Sequence, residues 1–392
     1  MKTDKKNEDL PLIRSNSNSL IKLFGSDDIT PMWVADMDFE VDKSIQDALI
    51  NRITNSGFAY EYKPKSFYLA QKNWYKTKYQ IDLIKQHIVY SPSITTTIAI
   101  VIESLTSEKD GIIIQPPVFM EFKDVIRKMK RKIVKNPLKL IDDTHYVIDF
   151  EKLEEKAKLE ENKALIICNP HNPVGRVWTK EELEQIINIC KKNDLLLISD
   201  EIHKDIILFD NKFTSALNYI DIWDKIIVCT SEAKTFNLCA ISDSMAIIPN
   251  ENLRRSILHI IKKYNLGRTN ALTRVALETA YTSGNLWLNE LIATIENNVK
   301  SIEAELTNSK INLIYPEGTY QVWLDFRSIY SDSKEMFTHL TKNSKVGLNA
   351  GHWYGREGAL FMRMNIATSN ENVVKSIRSI KNALLQIIPN KY

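Results

Sequence analysis

Ile226-Ile227-Val228-Cys229-Thr230-Ser231-Glu232-Ala233-Lys234-Thr235-Phe236-Asn237 joins a short apolar run to a polar stretch that carries one lysine. Four consecutive apolar residues, mostly β-branched, read as a strand buried on both faces. Working outward, similar runs recur at Gly111 to Gln115, Ala164 to Cys168, Leu195 to Ser199 and Met245 to Pro249. Several of the intervals between them have helical period. Crossover helices are therefore expected to join the strands into a largely parallel sheet.

The helices carry their own signals. Thr179-Lys180-Glu181-Glu182 is a capping box, and Leu183, Ile186, Ile187 and Cys190 form the inward stripe of the helix it starts, which runs to about Asn193. Another helix begins near Asp42, is expected to bury Ile45, Ala48, Leu49 and Ile53, and ends before Gly57. Trp287 to Leu306 reads as one long helix. Beyond it, Ile311 to Phe326, Phe361 to Ile366 and a terminal helix from about Glu371 suggest a smaller unit. The expected fold is α/β: a large domain at 45–285 with a mostly parallel sheet flanked by helices, and a small α+β domain at 286–392 with which an N-terminal arm, 1–44, packs. The glycines at 347, 351, 355 and 358 are too irregularly spaced for a dinucleotide loop and are expected in a surface loop.

The 392 residues would suit two or three average domains, yet a large α/β enzyme often spreads one catalytic unit over such a length. A net charge of +3 gives no general pull towards nucleic acid or acidic membranes. In the basic run from Lys123 to Lys135, the interleaved Val125, Ile126, Met129 and Ile133 favour a solvated helix leading into a strand over an anion patch. Cys168, Cys190, Cys229 and Cys239 lack metal or redox spacing, which fits buried thiols in a reducing cytosol. Met1 to Asp9 is polar, and no apolar run approaches membrane-spanning length, so the expectation is a cytoplasmic protein with no membrane partner.

Several residues stand where chemistry would need them. Lys234, just past a buried strand, is placed to hold a desolvated amine for an aldehyde cofactor. Asp200 ends the apolar run from Leu195 and should point into the cleft beyond the strands, where a protonated pyridine nitrogen could pair with it; a helix cap or structural ion pair is the alternative. Asn172 lies in Asn169-Pro170-His171-Asn172-Pro173-Val174-Gly175, a loop able to hold an amide against a phenolate oxygen, or a simple turn. His203 reaches the same edge or is a core histidine. Ser93-Ile94-Thr95-Thr96-Thr97 opens a helix whose amides near Ile94 and Thr95 suit a phosphate, with Ser231 and Thr230 as further hydroxyl donors. Phe119 could lie flat against an aromatic ring or be an ordinary core aromatic. Arg363, in Phe361-Met362-Arg363-Met364-Asn365, could clamp a substrate carboxylate or simply face outward. No metal site is expected.

Taken with Pro31-Met32-Trp33-Val34-Ala35-Asp36-Met37-Asp38-Phe39 and the stretch from Asn169 to Thr179, these residues resemble the class I/II aminotransferase superfamily of fold-type I pyridoxal-phosphate enzymes, and within it the MalY/PatB-type C–S lyase branch. The resemblance runs from about residue 28 to the C-terminus. It implies that Lys234 carries pyridoxal 5′-phosphate covalently, Asp200 pairs with the pyridine nitrogen, Asn172 and His203 hold the ring oxygen, and Phe119 stacks where the family usually has tyrosine. It also implies that Tyr60 reaches the cofactor phosphate of a partner subunit, giving a homodimer with a shared site. Arg363, with the backbone near Ala35 opposite, would take the carboxylate of an amino-acid substrate.

The activity so implied is release of a thiol, pyruvate and ammonia from cystathionine or another cysteine S-conjugate. Transamination and a cofactor-binding regulatory role are the alternatives. The chain departs from the family at Ala233, where serine is common, at Ser93-Ile94-Thr95, where the branch usually shows Gly-Val-Val, and at Ala240, which replaces a usual glycine.

Overall fold

The computed structural model describes residues 1–2, 10–55, 57–241 and 243–385, so most of the polar N-terminal stretch lies outside the described residues. Seven strands form the central sheet: β1 (Ile88–Ser91), β2 (Gly111–Ile114), β3 (Lys132–Lys135), β4 (Asn162–Cys168), β5 (Leu196–Asp200), β6 (Ile226–Thr230) and β7 (Ser244–Ile247). Their spatial order is β1-β7-β6-β5-β4-β2-β3, and all run one way except β7, which is antiparallel to both neighbours. Strand side chains alternate between two apolar clusters. Leu165, Ile167, Leu197 and Val228 face one, and Ile166, Ile198, Ile227 and Cys229 face the other. Burial on both faces is why these strands read as unbroken apolar runs.

The capping box at Thr179 and Glu182 is formed in both directions, and the stripe from Leu183 to Cys190 is buried in the helix Lys180–Lys192. The basic run resolves into the helix Met120–Lys128 followed by β3. A second, wholly antiparallel sheet pairs β8 (Asn312–Ile314), β9 (Gln321–Asp325), β10 (Asn349–Ala350) and β11 (Phe361–Asn365) in the order β8-β9-β11-β10. The N-terminal segment joins the fold through Thr30–Pro31, which pairs in parallel with Val346–Gly347. Among the described residues no helix is long and apolar enough to cross a membrane.

Three expectations are corrected. The glycine-rich stretch is not a surface loop: Gly347, Gly351, Gly355 and Gly358 are all buried. A Cβ on Gly351 would fall 2.0 Å from the Gly358 carbonyl and 2.9 Å from Trp323, so glycine there permits close packing of two backbones. On the helix Lys43–Thr54, Ile45 is buried but Ile53 is 53% exposed, because the helix presents part of its apolar face outward. Cys168, Cys190 and Cys229 are buried as expected, whereas Cys239 lies on an exposed turn.

Candidate active site

The carboxyl ends of β4, β5 and β6 are level, with Cys168 opposite Asp200 and Asp200 opposite Cys229. The loops leaving these ends carry Asn172, His203 and Lys234 to one place. A cavity of about 200 Å³ opens there and is lined by Ala35, Ile94, Thr95, Phe119, Asn172, Asp200, His203 and Lys234, with Cys168 and Ile202 completing its wall. Eight of the twelve residues singled out in the sequence thus meet around one cavity.

Lys234 is half-buried, and its Nζ donates to the Ala35 carbonyl at 2.7 Å and to the Cys239 sulfur at 3.5 Å. Asp200 is buried beneath the cavity and accepts from the Ile202 backbone N–H at 3.1 Å. Burial pushes its carboxyl up to about 7, assisted by Glu201, against the opposing pull of that N–H and of Lys234. His203 is also buried, and desolvation pushes its imidazole down to about 3, so the ring is neutral; the charges of Lys234 and Arg363 act in the same direction. Among the described residues its Nδ1 is buried without a hydrogen-bond partner.

The helix Ile94–Leu105 starts at the cavity wall. Ser93 caps it by accepting from the Thr96 N–H, and the first-turn amides have no intrahelical acceptor, which makes this end suited to an anion. The Asn172 loop is held by Arg176, which donates to Glu317 at 2.9 Å and to Glu182 at 2.8 Å. Gly175 turns it with a φ of +77°, and a Cβ there would meet Pro316 at 2.8 Å.

Arg363 is buried in β11 and faces inward. Its Nη1 donates to Asn172 Oδ1 at 3.2 Å and its Nη2 to the Trp33 carbonyl at 2.7 Å, while the guanidinium lies 5.2 Å from the Tyr354 ring centre. Its Nε is buried with no partner among the described residues. A desolvated guanidinium with a donor to spare suits a carboxylate.

Four of the residues lie apart from the cavity wall. Tyr60 is 94% exposed beside Arg268, whose guanidinium is 5.1 Å from its ring centre. The Ser231 hydroxyl donates to the Asp243 carbonyl at 2.7 Å. Arg363 reaches the cavity through Asn172. Thr230, read as a further donor to a phosphate, is instead buried, and its hydroxyl donates to the Glu201 carbonyl at 3.2 Å.

Sequence reading missed the residues that fix the irregular segment from Met32 to Phe39. Asn365 Nδ2 donates to the Val34 and Asp36 carbonyls, Asn237 Nδ2 to those of Met37 and Phe39, and Arg14 pairs with Asp36 and Asp38. Tyr320, fully buried, donates its hydroxyl to the same Ala35 carbonyl that receives Lys234, at 3.0 Å. Asn237 and Asn365 stood inside stretches already quoted, but nothing local says what a buried amide reaches.

The donor set fits pyridoxal phosphate. An amine lies at the cavity for its aldehyde, a buried carboxyl for the ring nitrogen, a helix N-terminus for the phosphate, a phenyl ring for the flat face, and the unpaired imidazole nitrogen offers one polar contact more.

Comparison with known proteins agrees with that fit. The chain is similar to cystathionine beta-lyase PatB of Bacillus subtilis (strain 168), with 34% identity over 387 residues covering 98% of this chain and 100% of that protein. It is 29% identical to protein MalY of Escherichia coli (strain K12), covering 92% and 93%. Its fold matches that of cystalysin from Treponema denticola, whose crystal structure contains pyridoxal 5′-phosphate, with a TM-score of 0.93, 29% identity and coverage of 99% and 98%. The family model described as aminotransferase class I and II matches residues 40–380, which include the whole of both sheets and every cavity-lining residue but Ala35, and the chain belongs to that family.

Proposed function

We propose that the chain is a pyridoxal-phosphate-dependent carbon–sulfur β-lyase that converts cystathionine or a related cysteine S-conjugate, with one water, into a thiol, pyruvate and ammonia. The observation that carries the reading is the Lys234 amine 2.7 Å from the Ala35 carbonyl, at a cavity that Asp200 also lines. Bound pyridoxal phosphate supplies the electron sink that lets a carbanion form beside the amino group.

Every other part comes from the chain. The Arg363 fork holds the substrate carboxylate against the Ala35 side. That grip turns the α-proton towards Lys234, whose amine accepts it as general base and returns a proton as the thiol leaves. Asp200, buried and costly to ionise alone, would hold the cofactor's protonated ring nitrogen and keep its own charge through that pairing. Asn172 and His203 fix the ring oxygen, and Phe119 supports the ring face. Ile94 and Thr95, at the start of their helix on the cavity wall, would make up the phosphate cradle.

Tyr60 supports a second element of the reading, a homodimer with shared sites. Within one chain it lies off the Lys234 cavity, on a face where Ile50, Ile53, Phe58 and Tyr62 are also exposed. A second copy covering that face would bury the apolar side chains and carry Tyr60 to its neighbour's cofactor. The division into an arm at 1–44, a large domain at 45–285 and a small one at 286–392, and a cytoplasmic location, belong to the same proposal.

Incubating the purified protein with cystathionine, with thiol and pyruvate measured beside exchange with an α-keto acid, tests the activity. Stoichiometric thiol and pyruvate are expected. Keto-acid exchange without thiol release rejects the lyase in favour of a transaminase.

A further inference from the structure

Thirty residues before the half-buried Lys234 lies a fully buried lysine, Lys204, only 1% exposed. Its ammonium has three hydrogens and three acceptors: Asp205 Oδ2 at 3.1 Å, Glu232 Oε1 at 3.0 Å and Thr230 Oγ1 at 3.1 Å. Asp205 in turn accepts from Trp74 Nε1 at 2.9 Å, from the Tyr79 hydroxyl and from Thr235 Oγ1 at 2.9 Å. Thr230, Glu232 and Thr235 therefore flank Lys234 at four and two residues before it and one after.

Every one of those grips ends on Lys204 or on Asp205 beside it. Between them stands Ala233, whose methyl offers no polar contact where the family commonly has serine. We propose that Lys204 is a positioning residue that fixes the backbone on both sides of Lys234 and so aims its amine.

Physical economy supports this. Two carboxylates and one ammonium, all out of water, form an arrangement that well-packed apolar residues could replace without loss of stability. An interior free to be apolar has no need of Lys204. A lysine amine at the end of a flexible stem, however, is aimed only as well as its backbone is held, and a displacement of about 1 Å at a reacting group can cost a hundredfold in rate. The network is saturated, which also separates Lys204 from Lys234: no hydrogen is left on its ammonium for a ligand.

The inference rests on the lysine role given to Lys234 above, and its test reads separately from the lyase assay. Removing Lys204 alone would leave two carboxylates unpaired and endanger folding, so the variant to make is Lys204→Met with Glu232→Gln, which removes one charge of each sign. Asp205 keeps its Trp74, Tyr79 and Thr235 donors. In the holoenzyme at 25 °C, kcat for thiol release is expected to fall about tenfold or more with KM within about twofold. The dissociation constant of pyridoxal phosphate, read from its visible absorbance, should rise by a similar factor.

Thr235→Val, uncharged and affecting only one grip, should give a smaller loss in the same direction and serves if the double variant does not fold. Wild-type kcat and cofactor affinity in either folded variant, whatever its thermal stability, overturns the proposal. Should the unmodified protein release no thiol, the cofactor-affinity arm still decides it.

Discussion

The Lys234 cavity and the Tyr60 face are built in opposite ways by one chain. Around Lys234 nearly every polar atom is held: the amine by Ala35, the Ala35 carbonyl by Tyr320, Asn172 by Arg363, and Asp200 by a backbone amide. Around Tyr60 the rings are exposed, and Tyr60 itself lines a groove of about 640 Å³ together with Arg268 and Lys63. Order inside and exposure outside are what a site shared between two copies requires, since the interior must be rigid before the partner arrives and the exported residue must be reachable. The difference fits the proposed dimer, in which the buried cavity residues would do chemistry at home and the exposed residues of the face would act on a neighbouring copy.

The comparison breaks most sharply at Lys234. Lys234→Ala should lower kcat by about 10⁴-fold or more, because among the described residues no other amine lines the cavity to take the α-proton. Its unfolding transition should remain cooperative, since the side chain is only half-buried. Retained turnover in a single-turnover assay would remove the lysine from the mechanism.

Asp200 gives the next effect, and its sign follows from burial. The carboxyl is near 3.9 in an unfolded chain and is raised to about 7 in the folded one. Between those values the folded protein without cofactor binds the extra proton, so its stability is fully present below pH 4, falls as pH rises and stops falling above 7. At about 1.4 kcal/mol per unit the loss is at most about 4 kcal/mol. Asp200→Asn should flatten the urea-measured slope over that window, leaving the part due to Glu201, which burial also raises to about 7. The same variant should bind cofactor more weakly. Parallel slopes for the two proteins would show that Asp200 is not the group that burial penalises.

Arg363→Lys keeps the charge but loses the fork. With Asn172 and Trp33 still to satisfy, the ammonium cannot also grip a carboxylate from two directions. The ratio kcat/KM should drop about 100-fold, about 2.7 kcal/mol, while cofactor absorbance stays unchanged. An unaltered KM would place the substrate carboxylate elsewhere.

Much of this architecture was legible because period and chemistry agreed. Runs such as Ile226 to Cys229 read as strands buried on both faces, and polar residues at their ends were expected at a cleft, with a cap, an ion pair or a simple turn as the alternatives. Asp200, Asn172 and Lys234 were readable for that reason. Ile94 and Thr95 were readable from a helix start. What stayed hidden depended on long-range packing: the Tyr320 hydroxyl meets a carbonyl 285 residues earlier, and Asn365 ties down a segment 329 to 331 residues away. The glycines from 347 to 358 misled because irregular glycine spacing looks like a loop, whereas here all four are buried and two of them, Gly351 and Gly358, let backbones pack beside Trp323. Ile53 misled because helical period marks an apolar face without saying whether the chain's own core or a second copy covers it.

The smallest effect bears most directly on the comparison. Tyr60→Ala should raise the cofactor dissociation constant only about tenfold, the scale of one hydrogen bond to a charged group. Alone, that change would not say whose cofactor Tyr60 serves. Mixing the Tyr60→Ala and Lys234→Ala proteins after dissociation does, at a cofactor concentration too low for the Tyr60-deficient site to fill. If the sites are shared, each hybrid dimer gathers both defects into one site and leaves the other whole. With half the dimers hybrid and one of two sites intact in each, activity should return to about a quarter of wild type. If Tyr60 instead serves the cavity of its own chain, every site in the mixture keeps one defect and no activity is regained on mixing. Ile53→Glu supplies the control, since a charge buried on the face that two copies share should leave the protein monomeric in sedimentation and unable to complement.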